Sequence, residues 1–190
     1  MEEDDAVKRF LAWLATAATL TFALPGIAAQ DDPRLDALFG KLKSTHDVTE
    51  AHDIEQVIWR VWSVSGNDKV DAIMAKGVRA MTFRDHAAAL GAFDEIVRLA
   101  PRFAEGWNKR ATIHFLLGDY KASAADIEST LALEPRHFGA LSGLGLVRLA
   151  QGYEAKALEA FEAALEVHPN LPGADSHIKE LRQRVKGKRI

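Results

Sequence analysis

The sequence predicts an all-α chain: three helical hairpins stacked into a solenoid, a helical pair before them and one capping helix after. Three observations carry this. Pro101, Pro135 and Pro169 stand 34 residues apart, twice over, and a strict period of that length marks a repeat array. Four further columns run in phase with the prolines. Gly77, Ala111 and Gly145 are small, as are Ala89, Ser123 and Ala157; Phe93, Ile127 and Phe161 are large, and Val97, Leu131 and Leu165 are aliphatic. Each unit also breaks near its middle, at Arg84-Asp85, Gly118-Asp119 or Gln151-Gly152, and stops near its proline, which cannot continue a helix.

The columns have a packing logic. Small residues let the two helices of a hairpin approach, and the larger apolar residues fill the space to the next hairpin. One unit cannot bury its own stripe, so the three, at 68–101, 102–135 and 136–169, must stack.

This pattern resembles the tetratricopeptide repeat (TPR) family. The middle unit carries the resemblance best, through Trp107, Ala111, Gly118, Asp119, Tyr120 and Pro135. The third matches through Leu141, Leu144, Gly145, Gly152, Ala157, Phe161, Ala164 and Pro169. The first is degenerate, with Ile73 in the place of the tryptophan and Lys76 in that of a leucine, and recovers at Ala89, Phe93 and Pro101. The resemblance covers residues 68–169 and implies a right-handed α-solenoid that presents a groove to a protein or peptide partner. Similarity to exported bacterial members implies a scaffold in envelope assembly. A chaperone-like holder of unfolded or transiting polypeptide is the alternative within that class. A hydrolase of envelope polymers, using an acid such as Glu105 or Asp71, is the alternative from another.

A repeat array exposes apolar faces at its ends. On the C-terminal side (170–190), Leu171–Val185 reads as a capping helix started by Pro172 and ended by Gly187, with Ala174, Ile178, Leu181 and Val185 on one face. Its basic tail (Lys179, Arg182, Arg184, Lys186, Lys188, Arg189) reads as a solvated face that favours a helix C-terminus. On the N-terminal side (30–67), Pro33–Lys43 carries Leu35, Leu38, Phe39 and Leu42 on one face. Val48–Ser65 carries Ile54, Val57, Ile58, Val61 and Trp62, with Asp47 or Thr49 as cap and Gly66-Asn67 as stop. Trp59 and Trp62 are expected to seal the first repeat, the other reading being an aromatic patch for a partner.

Residues 1–29 read as a secretory signal: Lys8 and Arg9, an apolar run Phe10–Leu24, the breaker Pro25-Gly26, and Ile27-Ala28-Ala29 as a small-residue cleavage site before Gln30. The chain is expected in the periplasm, cleaved after Ala29. The alternative is an uncleaved inner-membrane anchor facing the periplasm, the sole membrane contact expected. Without cysteine there is no disulfide, so packing alone supplies stability. The segment before Gln30 holds four acids and two bases, so the remainder carries −1 against −3 for the whole chain, and no nucleic-acid partner is expected.

First helices of stacked hairpins line the concave face. The expected partner groove is therefore Asp71, Met74, Val78 and Met81 in the first unit, Glu105, Asn108, Lys109, Thr112 and Phe115 in the second, and Ser142, Leu146 and Leu149 in the third, the other reading being that several of them are buried between helices and meet no ligand. The family's carboxylate clamp draws its cations from successive repeats. The matching positions here hold Met74, Val78, Lys109, Gly139 and Gly143, with a single base, so the groove suits a helix or extended peptide read by side-chain contacts. No catalytic, cofactor or metal constellation emerges: the seven histidines form no two-histidine motif at a spacing of four, and no phosphate loop or serine elbow is present. An imperfectly capped array can also bury its end against a second copy, so self-association is expected as an option.

Overall fold

The computed structural model describes residues 29–187, all of them helix, turn or loop with no strand. Residues 1–28 of the expected signal segment, and Lys188 and Arg189 of the basic tail, lie outside the described residues. A short turn of 3-10 helix, Ala29–Asp31, leads into α1 (Arg34–Ser44) and α2 (Val48–Trp62). The repeats follow as α3 (Asp68–Thr82) with α4 (His86–Leu99), α5 (Ala104–Leu116) with α6 (Tyr120–Leu133), and α7 (Phe138–Ala150) with α8 (Glu154–Val167). The last helix, α9 (Ala174–Gly187), packs on α8.

The 34-residue period is written into the backbone. The carbonyls of Ala80, His114 and Arg148 accept from the amides of Asp85, Asp119 and Tyr153 at 2.8–2.9 Å, closing each hairpin turn identically. The middle residue of that turn has positive φ in all three units: Arg84 at 58°, Gly118 and Gly152 at 80°. Between units, the amides of Phe103, His137 and Leu171 donate to Ala100, Glu134 and His168, again 34 residues apart. Asp85 and Asp119 cap the second helices of their units through Ala88 and Ala122 N–H.

The small column is dictated by the large one. A Cβ on Gly77 would lie 2.6 Å from the Phe93 ring, and one on Gly145 would lie 2.7 Å from the Phe161 ring. The middle unit trades both at once, Ala111 facing the slimmer Ile127. Ionic staples add to this packing: Arg110 reaches Asp126 at 2.7 Å within its hairpin and Asp94 of the preceding unit at 2.9 Å.

The C-terminal cap works as its apolar face requires. Ile178 and Leu181 join Ala157 and Phe161 in one cluster, and His177 stacks on Phe161 with centroids 4.7 Å apart. The helix starts at Ala174 rather than at Pro172, because Gly173 takes a positive φ of 80° that a helix cannot hold.

The N-terminal pair overturns one expectation. Trp59 and Trp62 do not seal the first repeat. Leu35, Phe39, Leu42, Ile54, Ile58, Val61 and Trp62 form a cluster completed by Phe138 and Val167 of the third unit and by Leu171 just after it. The physical reason is that the third unit offers an aromatic and aliphatic surface at its inter-unit turns, which the helical pair can cover with its whole apolar stripe.

Candidate functional site

The inter-unit turns place one side chain per repeat along an edge of the array, and the segment before α3 runs across all of them. Arg102 holds Asp31 at 3.9 Å, and its carbonyl accepts from Gln30 Nε2 at 2.7 Å. Arg136, one period on, holds Asp36 at 2.7 Å and lies over the Phe39 ring. Asn170, a further period on, donates to the Thr45 carbonyl at 3.1 Å. Three equivalent positions thus bind successive points of residues 31–45.

Beyond this edge α2 enters the concave face. Trp59 meets His137 and Phe138 edge-on and receives Lys109 Nζ at 5.4 Å over its ring. Its indole fits because residue 139 is glycine: a Cβ there would come within 2.6 Å of it. Trp62, 1% exposed, lies flat on His137. Glu55, one turn before Trp59, accepts from Trp59 Nε1 at 3.1 Å and faces His168 Nε2 at 3.3 Å. Burial pushes the His168 imidazole below its ordinary range, against the opposing pull of Glu55.

Under Trp59 sits a buried polar cluster. Glu105, 1% exposed, contacts Lys109 Nζ at 2.8 Å, Asn108 Nδ2 at 2.8 Å and His137 Nε2 at 3.0 Å. His137 Nδ1 accepts from the Ala140 amide at 3.1 Å as the N-cap of α7. With Nδ1 accepting, the ring's N–H is on Nε2, which donates to Glu105. Burial drives the Glu105 carboxyl up, but Lys109 and His137 outweigh it and hold it at about 2.

Between α5, α6 and α7, with Trp59, Glu55 and Leu171 as the far wall, a cavity of about 280 Å³ stays open. Phe115, Ile127, Leu146 and Val147 give it an apolar floor, and Asn108, Thr112 and Ser142 add polar atoms.

The groove residues expected from sequence divide by unit. The cavity gathers Asn108, Thr112, Phe115, Ser142 and Leu146. Glu105 and Lys109 pair with each other beneath α2 instead of facing solvent. Met74 is buried in the first unit's core with Phe93, and Met81 packs against it. Asp71 accepts from Ser65 N and Oγ, pinning the α2–α3 link. Val78 is exposed, away from the cavity, and Leu149 packs toward α9. The sequence offers Trp59 as one half of a partner patch and Gly139 as a groove position, but carries no signal for Glu55 or Leu171 in this site.

Comparison with known proteins fits this architecture. The tetratricopeptide repeat family model matches residues 74–129 and 117–175, more than half of the chain. A TPR repeat-containing protein of Rhizobium etli is 36% identical over 177 residues, 92% of this chain and 87% of that one. The chain belongs to the tetratricopeptide repeat family.

The small glutamine-rich tetratricopeptide repeat-containing protein 2 of Saccharomyces cerevisiae is 28% identical over 76% of this TPR chain, which spans 43% of its length. Among solved structures, the first TPR domain of RPAP3 bound to the HSP90 peptide SRMEEVD aligns at TM-score 0.60 and 21% identity, over 62% of this chain and 94% of that one. The Yersinia enterocolitica secretion chaperone SycD, with a peptide of the translocator YopD, aligns at 0.59 and 12%, over 62% and 95%. At these identities the two structures share the fold with this TPR protein.

Proposed function

We propose that this TPR protein is an exported scaffold that holds a partner protein by an apolar side chain of a helix or extended segment. The observation that carries the reading is the cavity between α5 and α7, whose floor is Phe115, Ile127 and Leu146. An apolar anchor in a preformed pocket, oriented by a few polar groups, is the usual form of such recognition. Peptide-bound neighbours with the same fold support a peptide as the ligand. An acidic C-terminus is not the feature read, because Lys109 is already committed to buried Glu105.

Export rests on residues 1–29, whose charge, apolar run and small-residue site have the signal layout. Gln30, which would begin the cleaved chain, is bonded in the full chain to Arg102 O and the Ala104 amide, next to Ala29 in the first unit's core. The work is placed in envelope assembly. Crosslinking in the native envelope followed by capture tests both parts: Phe115→Ala and Leu146→Ala should lose the captured partner, and this protein, recovered from the envelope, should have the mass of a chain that begins at Gln30. A partner set unchanged by those two substitutions contradicts the groove, and an unprocessed chain contradicts cleavage.

A further inference from the structure

We infer that the seat of α2 is an exchangeable docking site, and that its partner in trans is an amphipathic helix bearing an acid followed by aromatic residues four and seven positions on. The pattern is that of the resident helix: Glu55, Trp59 and Trp62. This deepens the proposed function and rests on it, because the seat forms one wall of the same cavity.

The seat reads each of those groups separately. His168 faces the acid. Gly139 and Lys109 receive the first indole, one by leaving room and the other by a cation over the ring. His137 stacks on the second. Phe138 and Leu171 take the apolar stripe between them.

Four features mark the resident helix as replaceable. It is bonded to α3 only through the link 63–67, and its cluster contains nothing from the first two units. Of the three long-range hydrogen-bonded pairs that hold the N-terminal pair to the array, α2 makes one, Glu55 with His168; Asp36–Arg136 and Thr45–Asn170 hold α1 and the loop after it, so α2 can leave while they stay. Trp62 Nε1 and His168 Nδ1 are buried there without a hydrogen-bond partner, so the fit in cis leaves polar groups unsatisfied. The cavity beside Trp59 shows that α2 does not fill the groove. A helix that donates to His168 Nδ1 and fills that space gains contacts that α2 lacks, and exchanges with it.

The test uses the full chain and a fluorescent peptide of residues 47–63, followed by anisotropy. Trp59→Ala loosens the resident helix and should raise the peptide's affinity at least tenfold over the unsubstituted chain. Adding Gly139→Leu, which fills the seat, should abolish that binding. Glu55→Ala removes the hydrogen-bonded pair that α2 makes with His168 and leaves the apolar cluster intact, and should raise the peptide's affinity in the same direction should Trp59→Ala unfold the chain. Equal affinity for all chains, or no binding to either loosened chain, overturns the inference. A concentration-dependent dimer that Gly139→Leu removes would assign the seat to a second copy and overturn it too. The two readings separate cleanly: loss of partner capture by Phe115→Ala with no peptide exchange sinks the exchange and leaves the scaffold standing.

Discussion

The imidazole of His137 lies flat on the indole of Trp62, with ring centroids 4.1 Å apart and planes 9° from parallel. One residue thereby caps α7, donates to buried Glu105 and carries the N-terminal helical pair. His137→Ala removes all three roles, and should destabilise the chain by about 2–4 kcal/mol. Urea unfolding followed by tryptophan fluorescence measures it; a change under about 0.5 kcal/mol, the level of an ordinary surface substitution, would contradict the assignment.

Glu105 makes stability fall in acid. Its folded-state value of about 2 lies below the ordinary 4.5, so its contribution is complete above pH 4.5 and is lost as pH falls toward 2. That shift corresponds to about 3 kcal/mol, an order-of-magnitude figure for a fully buried group. Glu105→Gln should cost a similar amount at neutral pH and flatten the pH dependence in that window. His168, held below its ordinary 6.5 by burial, adds a loss that begins as pH drops through 6.5. Denaturation midpoints measured from pH 7 to 3 resolve the two.

Gly143 and Gly145 sit two residues apart in α7 and should answer differently to alanine. A Cβ at 143 meets Ile127 at an ordinary 3.7 Å, so Gly143→Ala should gain up to about 1 kcal/mol of helix propensity. A Cβ at 145 strikes Phe161 at 2.7 Å, so Gly145→Ala should cost about 1–3 kcal/mol. Combining Gly145→Ala with Phe161→Ile copies the Ala111–Ile127 pair of the middle unit and should recover part of the loss. Additive losses in the double variant would show that the two columns are not coupled.

Arg84 occupies, at φ 58°, the turn position that glycine fills in the other two units. A side chain in that region costs about 1–2 kcal/mol, partly offset by the freedom glycine adds to the unfolded chain. Arg84→Gly should therefore raise stability by about 0.5–1 kcal/mol in chemical denaturation. A lower midpoint would mean that the Arg84 side chain makes a stabilising contact.

The repeats were legible in the sequence because their physics is local. Pro101, Pro135 and Pro169 end helices, and Gly77 with Phe93 or Gly145 with Phe161 meet inside one hairpin. The seat of α2 was not legible. It depends on Asp36 meeting Arg136 and Thr45 meeting Asn170, pairs 100 and 125 residues apart that no periodicity records. The capping aspartate Asp47 and the apolar stripe of α2 were visible, but not the surface that the stripe would cover. Within the groove, the polar–apolar pattern marked Phe115 and Leu146, yet it could not show that Glu105 and Lys109 neutralise one another under Trp59.

Hydrogen exchange on the full chain, comparing it with Gly139→Leu, bears most directly on the claim that α2 lies in the concave face of its own array. The added side chain must displace Trp59, so amides of 48–62 should lose protection at least tenfold while those of α3, α4 and α8 keep theirs. Unchanged protection in α2, or a uniform loss across every helix, would contradict it.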